Sequence, residues 1–152
     1  MATSRTRIDG LKELGAALKS LGDEVGSKIG RSAVGKGAGV VKKAVKQRAP
    51  VADEPYEIEG VRVEPGNIGK NVVTKRVKAS ETNLTVEYVV AIRGKRKHGY
   101  ANRVAILQEF GTVNMEANAF VRPAYEESKE PAAQQIVGTL QKQIDKANKA
   151  AK

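Results

Sequence analysis

Large side chains are scarce in this sequence, and its two phenylalanines, Phe110 and Phe120, flank a single polar loop. With no Trp and no Cys, the chain has neither indoles to anchor a core nor thiols to cross-link one. The core must then come from Val, Ile, Leu and Ala, which release roughly 25 cal/mol for each Å² of apolar surface buried, and it will be thin. Both Phe residues lie in one stretch, Ile106-Leu107-Gln108-Glu109-Phe110-Gly111-Thr112 and then Ala119-Phe120-Val121-Arg122-Pro123-Ala124. This placement marks a fixed structural joint. In it Phe110 is expected to pack inward, Gly111 to turn the chain in the left-handed conformation, and Thr112 to tie the turn. Glu109 falls at a helix C-terminus, where the dipole disfavours an acid. Either a cation such as Arg122 pairs with it or water solvates it.

Periodicity supplies the helices. Ile8, Leu11, Leu14, Leu18, Leu21 and Val25 recur at spacings of three and four, one face of a helix, with Asp9 placed to cap its start. Val25, Ile29, Ala33, Val40, Val41, Ala44 and Val45 carry the stripe on to Arg48, and Pro50 ends it. Leu21-Gly22-Asp23 reads as a stop followed by a new cap, giving helices over about 9–21 and 23–48. Six glycines from Gly22 to Gly39 each cost up to about 1 kcal/mol in a helix. They suit a helix lying tight against a sheet or a neighbour; the other reading makes Gly35 to Gly39 a flexible loop.

Residues 50–70, with Pro50, Pro55, Pro65 and the acids Asp53, Glu54, Glu57, Glu59 and Glu64, read as a long connection in which Tyr56 to Val63 adds a short edge strand. Val72 to Ala79 and Leu84 to Ile92 are rich in β-branched residues and flank a turn at Ser80 to Asn83, the pattern of an antiparallel hairpin. Arg93 to Asn102 reads as an exposed basic loop and Arg103 to Phe110 as a short helix. Pro123 suits the first turn of a long final helix, which Pro131 is expected to kink. The expected fold is α+β: N-terminal helices and a long C-terminal helix packed on a small antiparallel sheet. It forms one domain over 1–152, with frayed ends at about 1–7 and 147–152.

Few residues could carry chemistry. His98, the single histidine, lies among Arg96, Lys97 and Tyr100 without a visible partner for acid–base work. The acidic block lacks the glycine turn and ligand spacing of a calcium loop. Gly35-Lys36-Gly37-Ala38-Gly39 misses the spacing of a phosphate loop. No catalytic, cofactor or metal site is therefore expected. No apolar run reaches the roughly 20 residues of a membrane span, none follows Met1 as a signal peptide requires, and a soluble protein of a reducing cytoplasm is expected. The net charge of +10 is concentrated in blocks. Lys42, Lys43 and Lys46, with Arg93, Lys95, Arg96 and Lys97, are the candidate interface or DNA-facing residues.

The order of motifs resembles the neck and minor-tail family of tailed bacteriophages. The likeness runs from Gly10-Leu11-Lys12-Glu13-Leu14 through Ala49-Pro50, the strand pair of 72–92 and Glu109-Phe110-Gly111-Thr112 to Phe120-Val121-Arg122-Pro123-Ala124, about residues 8–147 in all. It departs after Ala49-Pro50, where relatives carry a Thr-Gly-x-Leu turn and this chain has Val51-Ala52-Asp53-Glu54-Pro55. The resemblance implies a non-enzymatic virion protein at the head–tail junction, assembled in the host cytoplasm. It implies a homo-oligomeric ring, hexamer or dodecamer, between head-completion or portal-adaptor proteins and tail-terminator or tail-tube proteins, with non-specific contact to packaged DNA. The charge alone supports a second reading, a small basic nucleic-acid-binding protein.

Overall fold

The computed structural model describes residues 10–77 and 86–150. Two helices open the chain, α1 (Leu11–Ser20) and α2 (Asp23–Arg48). The capping expectations differ from what is found. Asp9 lies outside the described residues, and the residues at the two N-caps are Gly10 and Gly22, both at positive φ and without a side-chain cap. Gly35 to Gly39 is helix, not loop.

Close packing explains why helix survives there. A Cβ on Gly37 would meet Ile136 Cγ1 at 2.5 Å, and one on Gly35 would meet the Tyr88 ring at 3.2 Å. These two glycines let α2 lie against the final helix α5 (Val121–Ala150) and against the sheet. Gly39, by contrast, is exposed with nothing near its missing Cβ. The long helices run antiparallel: Arg48 near the end of α2 pairs with Glu127 near the start of α5, while Ser32 accepts a bond from Gln143 at 2.8 Å. α5 continues as one helix through Pro131 and on to Ala150, past the expected fraying point. Pro131 and Glu127 are exposed, so the carbonyl left unpaired by the missing N–H can be hydrated.

The expected long connection has its own structure. Strands β1 (Tyr56–Ile58) and β2 (Val61–Val63) form a separate hairpin, closed by Glu59 at φ 48° and Gly60 at φ 72°. Positive φ at both central residues is the two-residue turn that matches strand twist. One turn of helix follows, α3 (Asn67–Lys70). The second hairpin pairs β3 (Val72–Arg76) with β4 (Tyr88–Ile92) in the register Thr74 to Val90; its expected turn lies outside the described residues. The sheet is therefore two small antiparallel pairs, not one. The basic loop holds a 3-10 turn over Arg96–His98, and the next helix, α4 (Ala101–Phe110), starts within its expected end.

Two apolar clusters occupy the two ends of the α2–α5 pair. One joins Val45, Ala49, Ile68, Val72, Ala105, Phe120 and Ala124; the other joins Ile29, Ala33, Leu140 and Ile144, covered by Leu14, Leu18 and Leu21. The first is mostly Ala and Val around Phe120, and the second is mostly Ile and Leu. The protein is thus α+β, as expected, with its helices against a minimal sheet.

Candidate functional site

The loop between the two Phe residues is a polar clamp. Glu109, in the last turn of α4, is only 8% exposed. Its Oε2 accepts bonds from the Phe120 N–H at 2.8 Å and the Val121 N–H at 2.9 Å, and its Oε1 accepts one from the Arg122 N–H at 3.2 Å. These donors are the N–H groups that the start of α5 leaves free, where a negative charge also meets the favourable end of the helix dipole. Burial alone would raise the Glu109 carboxyl pKa. The three N–H bonds, aided by the Arg122 charge, outweigh this and hold it below its ordinary value. The partner of Glu109 is therefore the amino end of α5. Arg122 serves mainly through its backbone N–H, and no ion pair joins the two side chains among the described residues.

The rest of the joint follows. Gly111 takes φ 72° and ψ −175°, a region open to glycine and not the left-handed helical one expected. A Cβ there would lie 2.7 Å from the Met115 carbonyl oxygen. The Thr112 N–H donates to the Met115 carbonyl at 2.8 Å, and the Thr112 hydroxyl accepts from the Asn114 N–H at 3.2 Å, so Thr112 does tie the turn. Asn118 N–H closes the loop onto the Gln108 carbonyl at 2.7 Å. Phe120 is buried, and Pro123 lies in the first turn of α5. Phe110 is a correction: it is 68% exposed. The buried positions of α4 are Ala101, Ala105 and Glu109, four residues apart, so the helix turns Ile106 and Phe110 outward.

Outward here means along an apolar trough of about 920 Å³, walled by α2, β4, α4 and α5. Val34, Val41, Tyr88, Ile92, Phe110 and Ile136 are among its lining residues. The alternating strand residues Tyr88, Val90 and Ile92 signal its floor, but the sequence does not show that the space above them stays open.

The candidate cations occupy separate elements. Lys42, Lys43 and Lys46 are on α2, with Lys43 and Lys46 exposed and Lys42 half-buried; Arg93, Lys95, Arg96 and Lys97 lie in the exposed stretch before α4. Near Arg96, the Glu59 carboxyl pKa is lowered chiefly by a bond from Tyr100, then by the 2.8 Å Arg103 pair, with the Arg96 charge contributing least. Glu59 and Tyr100, the two non-glycine residues at positive φ among those described, thereby pin the first hairpin to the start of α4. A partly buried amide relay beside them is not signalled by the basic-loop reading. Asn67 Nδ2 donates to the His98 carbonyl at 3.1 Å, and Asn71 Nδ2 donates to Asn67 Oδ1 at 2.8 Å. The spacing of Asn67 and Asn71, one helical turn, was the available signal.

His98 is half-buried, and its imidazole pKa is lowered by burial and then by Arg93, Lys97 and Lys95. Among the described residues no group of three or more His, Asp or Glu is placed to hold a metal ion, and no helix is long and apolar enough to cross a membrane.

These features define an α+β scaffold in which a buried carboxylate works as a strut between two helices. The chain belongs to the HK97-gp10-like family, described as "Bacteriophage HK97-gp10, putative tail-component", whose model matches residues 12–111. The match ends at Gly111, so it covers the first half of the joint and not Phe120 to Ala124. Comparisons with curated proteins and with solved structures gave no match.

Proposed function

We propose that this protein is a structural virion component at the head–tail interface of a tailed phage. It forms an oligomeric ring, hexameric or dodecameric, between head-completion or portal-adaptor proteins and tail-terminator or tail-tube proteins. The family match over residues 12–111 carries the reading. The surface supports it: Ile106, Leu107, Phe110, Val113 and Tyr125 stay exposed while the interior is filled largely by Ala and Val. Exposed apolar surface beside a thin core is what subunit contact would bury.

On this reading the protein acts by assembly and not by catalysis, and its polar centre, Glu109, positions α5 rather than a substrate. The protein is made and assembled in the host cytoplasm and ends in the virion, with Lys42, Lys43, Lys46 and the 93–97 cations available to the DNA path. Mass spectrometry of purified virions, with immunogold labelling, tests it. Stoichiometric protein at the neck is expected; its absence from virions would end the proposal.

A further inference from the structure

Among the described residues the apolar trough stays open, and the same chain carries an exposed apolar tip. Val113 is fully exposed at the apex of the loop after α4, and Met115 beside it is also exposed. The loop is held rigid by the paired Thr112–Met115 bonds and by Asn118 onto Gln108, so the tip is preformed. Val113 is outside its own trough, because a seated side chain could not remain fully exposed.

Charge matches as well. Arg122 lines the trough and Glu116 is exposed beside the tip, and neither makes an ion pair among the described residues.

We propose that the trough of one copy receives the Val113–Glu116 loop of a second copy, with Val113 and Met115 on the apolar floor and Glu116 facing Arg122. A tip on one residue set and a seat on another make a head-to-tail contact, which closes into a ring when the rotation per subunit allows it. The inference rests on the ring reading above and adds which surfaces meet.

The absence of native Cys makes the test clean. Ile106, on the trough wall, and Val113 are both exposed, so Ile106→Cys and Val113→Cys should fold, which thermal melts of each variant check. Phage carrying both substitutions are purified and oxidised, and the protein is resolved without reductant. A ladder of covalent multimers is expected, and none from either single variant. Glu116→Lys in the same background should lower the ladder yield by up to about fivefold, the effect of one surface pair, and Arg122→Glu should restore it.

Protein present in virions but without a ladder would overturn the docking and leave the ring standing. Multimers from Val113→Cys alone would also overturn it, since tips would then meet each other. Absence of the unmodified protein from virions would instead remove the ring reading and this inference with it.

Discussion

Replacing Glu109 is the sharpest probe of the joint. Glu109→Ala removes the acceptor for three N–H groups at the start of α5. The Phe120 N–H is buried and cannot turn to water, and an orphaned buried donor costs about 1–3 kcal/mol. The Val121 and Arg122 N–H groups are partly accessible, so their loss resembles that of a helix cap, about 1 kcal/mol. Relief of the acid at the end of α4 returns a few tenths, about 0.3–1 kcal/mol. The net cost is about 1–4 kcal/mol, seen as a fall in Tm of roughly 2–15 °C for a chain of this size.

Glu109→Gln keeps the shape but turns an NH2 toward a donor, and should cost about 1.5–3 kcal/mol. Arg122→Ala leaves its backbone N–H in place and should cost under about 1 kcal/mol. Urea unfolding measures all three. Equal losses for Arg122→Ala and Glu109→Ala would show that a side-chain ion pair, not the helix end, holds the carboxylate, and the argument would fail.

Acid gives an independent check on the same group. The folded pKa of Glu109 is depressed, so near and below its ordinary value of about 4.3 the unfolded chain binds more protons. Its contribution is complete above that value and is lost as pH falls through the folded pKa. Unfolding free energy measured from neutral pH into acid should therefore fall less steeply for Glu109→Gln than for the unmodified protein.

Three further outcomes separate buried from exposed positions. Phe120→Ala should cost about 3–5 kcal/mol whereas Phe110→Ser should stay within about 0.5 kcal/mol, both read by urea titration of the isolated protein. Gly37→Ala should destabilise by about 1–3 kcal/mol through its clash with Ile136, while Gly39→Ala, with open space around it, should stabilise by up to about 1 kcal/mol; thermal melts give the opposite signs. Duplex DNA binding by the isolated protein should be weak and without a steep salt slope. Tight binding that falls steeply with salt in a fluorescence titration would favour the nucleic-acid reading.

The elements that were legible in the sequence are those whose signal is local. α2 follows from its apolar stripe and ends before Pro50, and the second hairpin follows from its β-branched runs. The close approach that makes Gly37 acceptable in a helix is tertiary, yet the glycine count hinted at it. The first hairpin reads in the sequence as a single short edge strand over Tyr56 to Val63 because its strands have only three residues each and its turn uses Glu59, a residue that rarely takes positive φ. Phe110 misled for a different reason. Hydrophobicity argued for burial, but the four-residue spacing of Ala101, Ala105 and Glu109 sets the inward face of α4. Glu109 was recognised as needing compensation at a helix end, and the compensation came from backbone donors that no residue type encodes.

The proposed role, a ring-forming joint between phage head and tail, is open to direct observation. An electron cryomicroscopy reconstruction of the neck of intact virions tests it most directly. The expected result is a closed ring between portal and tail tube, each subunit density fitted by the antiparallel α2–α5 pair with the Val113 loop entering the adjacent subunit. A neck fully accounted for by other proteins, with this chain absent from the particle, would contradict it.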